Sequence, residues 1–257
     1  RTLTGLSAPE WLTFETLPVK LLRATEPLYK RDFTVPKQHT EASAYIAGAF
    51  FARLRLSHPQ NILFAAPSPE AAEKLRRCFT EAFRLSPKPP RAHGEMHLVH
   101  VSRKALMEPF CALMGSSDAD KIAVPRILTD YSFFRKPFLR GFLEFAGGTV
   151  HTAIPRFTIS RTLRGDILAH VAVALSYEGI YPNVNRDDSG AAKLQIDDAR
   201  EIRRLLTNFP SVTDTETRSK ALALVSGSES CLDSLEAYEA VMRILARDYP
   251  KGVKLNF

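Results

Sequence analysis

The sequence predicts an α/β (α+β) fold built as a pseudo-symmetric pair of similar units. Three observations predict it. Two apolar, glycine-bearing helical segments start comparably at Ile46 and Leu139, 93 positions apart. Each is followed by the same order of strands and helices. A second pair of apolar positions, Leu98 and Leu194, recurs 96 positions apart. A period this long marks a duplicated domain-sized unit, because solenoid repeats are much shorter.

Residues 1–40 hold Pro9, Pro18, Pro27 and Pro36 among Lys20, Arg23, Lys30, Arg31 and Lys37, without an apolar period. They read as an extended basic arm, either packed on the domain or reaching along a polyanion. Unit 1 is placed at 41–125. A helix covers about Glu41 to Arg53, and Asn61 to Ala65 is its clearest early strand. Ser68 then caps a helix that opens with Pro69, a residue suited to the first turn. Pro87, Pro89 and Pro90 break the chain before a strand at Met96 to Val101 and a helix near Lys104 to Met114. Gly115-Ser116-Ser117-Asp118 marks a loop.

Unit 2 is placed at 126–212. Its helix runs from about Lys136 to Phe145, and Arg156 to Ser160 forms a strand. A long apolar-periodic helix covers Leu163 to Tyr177, and Tyr181-Pro182-Asn183 makes a turn. A strand at Lys193 to Ile196 and a helix from Ala199 to Leu206 complete the unit. Residues 213–257 read as a helical extension, with Leu235, Tyr238, Val241, Met242 and Leu245 at helical spacing.

Charge narrows the partners. Lys plus Arg number 35 against 28 Asp plus Glu, giving a net charge of +7 and a pI near 9.4. That surplus favours polyanions, because each neutralised phosphate releases a condensed counterion. No apolar run approaches the ~20 residues of a membrane-spanning helix. Cys78, Cys111 and Cys231 are far apart and odd in number, which argues against a disulfide framework and fits a reducing compartment. Arg1 in place of a methionine is compatible with a removed targeting segment or with trimming. In His93-Gly94-Glu95-Met96-His97, a continuous strand would put His93, Glu95 and His97 on one face, the one arrangement here that could bind zinc. Surface or RNA-facing histidines are the more ordinary expectation. No glycine-rich phosphate loop and no convincing Ser-His-Asp or Cys-His set is present, so no cofactor is expected.

Two segments carry the functional argument. The first is Tyr45-Ile46-Ala47-Gly48-Ala49-Phe50-Phe51-Ala52-Arg53-Leu54. The second is Phe138-Leu139-Arg140-Gly141-Phe142-Leu143-Glu144-Phe145-Ala146-Gly147-Gly148-Thr149-Val150. Both resemble the LAGLIDADG motif of homing endonucleases, the second closely. The resemblance covers about residues 41–210. It implies two αββαββα units whose motif helices pack together at Gly48, Ala52 and Gly141. It also implies that their two antiparallel sheets form a saddle over nucleic acid.

In that family the acid at the foot of each motif helix holds the divalent metal of two-metal cleavage. Here those positions are Arg53 and Ala146, and Leu54 replaces the glycine that follows the first. Glu144 lies two residues early, about 200° around the helix. The resemblance therefore implies a scaffold that has lost its cleavage centre, with no catalytic residue and no metal.

Strand alternation then sorts the saddle. If Phe157 and Ile159 face the core, Arg156, Thr158 and Ser160 face nucleic acid. If Leu194 and Ile196 are core, Lys193 and Gln195 face out. Arg53 and Arg55 start unit 1's strand region and join them.

The expected function is non-catalytic RNA binding. The protein would be a constituent of an organellar, mitochondrial ribosome beside other ribosomal proteins, or a maturase-like factor acting on intron RNA. One alternative is a DNA-binding regulator of the kind that carries degenerate LAGLIDADG repeats before a helix-turn-helix. The residues after Pro210 offer about two helices and no clear recognition helix. The other is a residual endonuclease using displaced acids such as Glu144.

Overall fold

The computed structural model describes residues 39–52, 61–102, 124–151, 156–160, 165–186 and 191–229. Residues 1–38 of the expected basic arm, Arg53, Arg55, the helix expected near Lys104 to Met114 and the helix expected from Leu232 onward lie outside them.

Helix α1 (Glu41–Ala52) opens on a reciprocal cap. The Ser43 backbone N–H donates to Thr40 Oγ1 at 3.1 Å, and the Thr40 N–H donates to Ser43 Oγ at 2.8 Å. This is the logic of a capping box, with serine where Glu or Gln is usual. Every residue of α1 after Glu41 is buried. A helix apolar on all sides belongs at the centre of a fold. There it meets its partner in unit 2.

Unit 1 continues with β1 (Asn61–Ala66), α2 (Pro69–Phe83), β2 (Arg91–His93) and β3 (Met96–Ser102). Ser68 caps α2 by accepting from the Ala71 N–H at 3.1 Å. Strand order is β1-β3-β2, antiparallel throughout.

Unit 2 begins with α3 (Arg126–Asp130) and α4 (Ser132–Ala146), then β4 (Thr149–His151), β5 (Arg156–Ser160), α5 (Gly165–Ser176), β6 (Asn183–Arg186), β7 (Ala192–Ile196) and α6 (Ala199–Asn208). Its sheet order is β4-β5-β7-β6, again antiparallel. Asn183, expected in a turn, starts β6. A short 3₁₀ turn at Pro210–Val212 leads to α7 (Thr215–Glu229).

The most extensive contact between elements is α1 against α4. A Cβ built on Gly48 would lie 2.0 Å from the Phe138 carbonyl oxygen, and one on Gly141 would lie 2.1 Å from that of Tyr45. Only glycine allows backbones this close. Around the crossing Ile46, Phe51, Phe138, Leu139, Phe142 and Phe145 are completely buried, and Ala52 is buried at the end of α1.

The ladders correct one part of the repeat. In unit 1, Phe64 pairs with Val99; in unit 2, Ile159 pairs with Leu194. All four are buried. The counterpart of Leu194 is therefore Val99 and not Leu98. A one-residue slip in a strand moves a side chain to the opposite face, so Leu98 matches Lys193 and points away from the core.

Candidate nucleic-acid interface

The second sheet has two chemically distinct faces. Phe157, Ile159, Leu194 and Ile196 are buried against the helices. The other face follows from the register. Thr149 pairs with Thr158, His151 with Arg156, Thr158 with Gln195, and Gln195 with Asn183. Ser160 pairs with Lys193, and Lys193 with Asn185. Every position on this face is polar. Asparagine is disfavoured in strands, so Asn183 and Asn185 side by side are an unusual choice for a face with no partner.

Within the face, the Arg156 Nε–H donates to Asp197 at 2.5 Å, and the Gln195 amide donates to the other oxygen of the same carboxylate at 2.6 Å. The Gln195 hydrogen bond, then the Arg156 hydrogen bond and charge, hold the Asp197 carboxyl below its usual range. Arg156 and Gln195 are thus pre-positioned, with Lys193 half-buried beside them. Thr158 is on the expected side but only 4% exposed. Its hydroxyl lies 3.1 Å from His151 Nε2, and His151 is the exposed group at that point. His151, Asn183 and Asn185 were missed in the sequence because β4 and β6 are too short to show alternation. The side chain of Ser160, like Arg53 and Arg55, lies outside the described residues.

The corresponding face of unit 1 is different. Aligning the two ladders matches Leu63 with Thr158, Ala65 with Ser160, Leu98 with Lys193 and His100 with Gln195. Leu63, Ala65 and Leu98 are half-buried, and His100 is exposed. A cleft of about 310 Å³ opens there, lined by Leu63, Leu98, His100, Arg91, Lys88 and Pro89.

The histidine segment between β2 and β3 is a hairpin and not one strand. Gly94 takes a φ of +60° in a two-residue turn, and His93 pairs with Met96. His97 pairs with Ala92, which places it on the opposite face from His93. The shared face on which His93, Glu95 and His97 could have bound zinc is therefore not formed. Among the described residues no group of three or more His, Cys, Asp or Glu is arranged to hold a metal.

At the helix pair, Ala146 ends α4, fully buried. Glu144 is 9% exposed, and its Oε2 accepts from the Tyr45 hydroxyl and the Lys74 ammonium, both at 2.9 Å. Lys74 also sits 4.4 Å over the Tyr45 ring. Burial, then the Glu144 charge, push the Tyr45 phenol well above its ordinary range. The pseudo-symmetry mates of Tyr45 and Glu144 are Phe138 and Phe51, whose rings meet edge-on at 6.2 Å. One side of the helix crossing is an aromatic pair and the other a hydrogen-bonded acid.

Neither a comparison with protein-family models nor one with curated proteins gives a match. Solved structures do. The homing endonuclease I-DmoI in complex with DNA and Mn is 17% identical, over 66% of this chain and 96% of that one, with a TM-score of 0.48. Full-length DUF199/WhiA from Thermatoga maritima is 14% identical over 93% of this chain and 74% of that one, at a TM-score of 0.50. The N-terminal LAGLIDADG domain of DUF199/WhiA is 15% identical over 70% and 86%, at 0.42. The class is a pseudo-two-fold pair of α/β units joined by glycine-mediated helix crossing. The fold is the two-motif LAGLIDADG fold.

Proposed function

We propose that this chain binds nucleic acid through the polar face of its second sheet without cutting it, and that the nucleic acid is RNA. The observation that carries the reading is the uniformly polar β4-β5-β7-β6 face, with Arg156 and Gln195 oriented by Asp197. Arg, Lys, Asn and Gln side chains on a strand surface contact phosphates and base edges. The net charge of +7 adds a sequence-independent attraction.

The absence of cleavage rests on Arg53 and Ala146 at the two acid positions. A guanidinium repels a cation and a methyl group offers no ligand. Glu144, the displaced acid, has one carboxylate oxygen engaged by Tyr45 and Lys74. A role in a mitochondrial ribosome or as a maturase-like factor is the finer form of this proposal. It needs surface and charge and no catalytic centre.

The test is to purify the native protein with its bound nucleic acid and sequence that nucleic acid. Ribosomal or intron RNA is the expected product. Promoter DNA would replace the RNA reading with that of a DNA-binding regulator. Nicking of DNA in magnesium or manganese that disappears in Glu144→Gln would replace it with a residual endonuclease.

A further inference from the structure

We infer that the cleft on unit 1's sheet receives one unpaired nucleotide, so that the two halves of the saddle read different features of one RNA. The inference rests on the nucleic-acid reading above and adds to it the form of RNA that is bound. It starts from the inversion between the two sheets. At register positions where unit 2 carries Thr158, Lys193 and Gln195, unit 1 carries Leu63, Leu98 and His100. A paired duplex offers phosphates and base edges, and two leucines answer neither. An unstacked base offers an apolar face about the width of a side-chain pair.

The walls of the cleft fit such a base with its phosphate. Leu63, Leu98 and Pro89 supply apolar surface, and Arg91 and His100 are planar groups on which bases stack. Lys88 and Arg91 add positive charge, and no acid lines the cleft among the described residues. The volume, about 310 Å³, lies at the lower end of small-molecule sites.

The wall carrying Lys88 and Pro89 is pre-set. Arg84 leaves α2 in the left-handed conformation at φ 50°. The Thr80 hydroxyl donates to the Leu85 carbonyl at 3.3 Å, and Arg76 donates to Ser86 Oγ at 3.0 Å. Pro87, Pro89 and Pro90 then fix φ over the rest of the segment. A wall that is already ordered loses little entropy when a ligand enters.

The experiment compares a fully paired RNA hairpin with the same hairpin carrying one bulged 2-aminopurine in its stem. The full chain is titrated with each, following affinity and 2-aminopurine emission. The expected result is about tenfold tighter binding of the bulged hairpin, with a change in emission as the base leaves water. Leu63→Thr combined with Leu98→Lys, which copies unit 2's residues into unit 1, should bring the ratio of the two affinities to one. His100→Gln, at an exposed position that does not hold the core, should lower that ratio without a fold change in circular dichroism. Equal affinity of the wild type for both hairpins would overturn the inference, and so would a bulge preference that survives the double substitution. If paired RNA still binds with a salt dependence that Lys193→Glu reduces, only the cleft assignment has failed. If neither hairpin binds, the nucleic-acid reading itself has failed.

Discussion

Gly48 and Gly141 meet each other's helices in the same way. Each lacks a Cβ where one would strike the carbonyl oxygen three residues before the other, at 2.0 Å from Phe138 and 2.1 Å from Tyr45. The crossing therefore obeys a local two-fold, and the two sheets are placed by it.

Gly48→Ala or Gly141→Ala should destabilise the protein by about 3 kcal/mol or more, the upper end of overpacking, because the obstacle is backbone on both sides. Gly94→Ala, in open space but at φ +60°, should cost about 1 kcal/mol. Urea denaturation of the three variants checks the order. Equal losses would remove the crossing from its central place.

That crossing was the most legible part of the fold. Small residues within apolar helical segments at a domain-length spacing point to it directly. The strand faces were partly legible. Phe157, Ile159, Leu194 and Ile196 declare the core of unit 2 by alternation. Leu98 misled, because it precedes Val99 in an apolar run and only the ladder shows which of the two faces in. The histidine hairpin was hidden for a related reason: Gly94-Glu95 is a turn inside what reads as continuous alternation. Thr158 is polar and on the right face, but only the structure shows His151 closing over it. Asp197 pairs across strands with Arg156, a contact no local pattern encodes.

His39 gives a pH-dependent stability. It packs before α1 with its ring edge-on to Phe134 at 5.9 Å, and burial lowers its pKa from 6.5 to about 4. A lowered folded pKa means that the unfolded chain binds the proton more readily. The stability it contributes is complete above pH 6.5, falls as pH drops toward 4, and is lost below that. The loss is about 3 kcal/mol. Chemical denaturation across this range should show the slope in the wild type and a flatter one in His39→Phe.

Glu178 anchors the end of α5 to α4. The Arg135 Nε–H donates to it at 2.7 Å, with the two side chains 10% and 8% exposed. Arg135 also donates to the carbonyls of Thr129 and Asp130 and stands 4.9 Å over the Tyr177 ring. Glu178→Ala leaves that guanidinium buried without its carboxylate and should cost about 3–5 kcal/mol. Lys74→Ala should cost less, because Lys74 is 39% exposed and Glu144 retains Tyr45. Thermal melts of the two variants separate these expectations.

Asp197→Asn should strengthen nucleic-acid binding. The substitution removes a negative charge just past the end of β7, at the edge of the polar face, and releases part of Arg156's charge for phosphate. A severalfold gain in affinity is expected at low salt, shrinking as salt rises. Weaker binding would mean that holding Arg156 and Gln195 in place outweighs the charge.

The placement of nucleic acid on the second sheet is tested most directly by comparing two charge reversals. Lys193 stands on the polar face, whereas Arg76 on the outer helix α2 is already bound through two nitrogens to Glu73, at 2.8 and 2.7 Å. Lys193→Glu and Arg76→Glu would each be titrated against the copurified nucleic acid over a series of salt concentrations. The expected result is a larger loss of affinity for Lys193→Glu at low salt, with the slope of log affinity against log salt reduced by roughly one phosphate's worth, and little change for Arg76→Glu. Equal losses, or a greater loss for Arg76→Glu, would contradict the account.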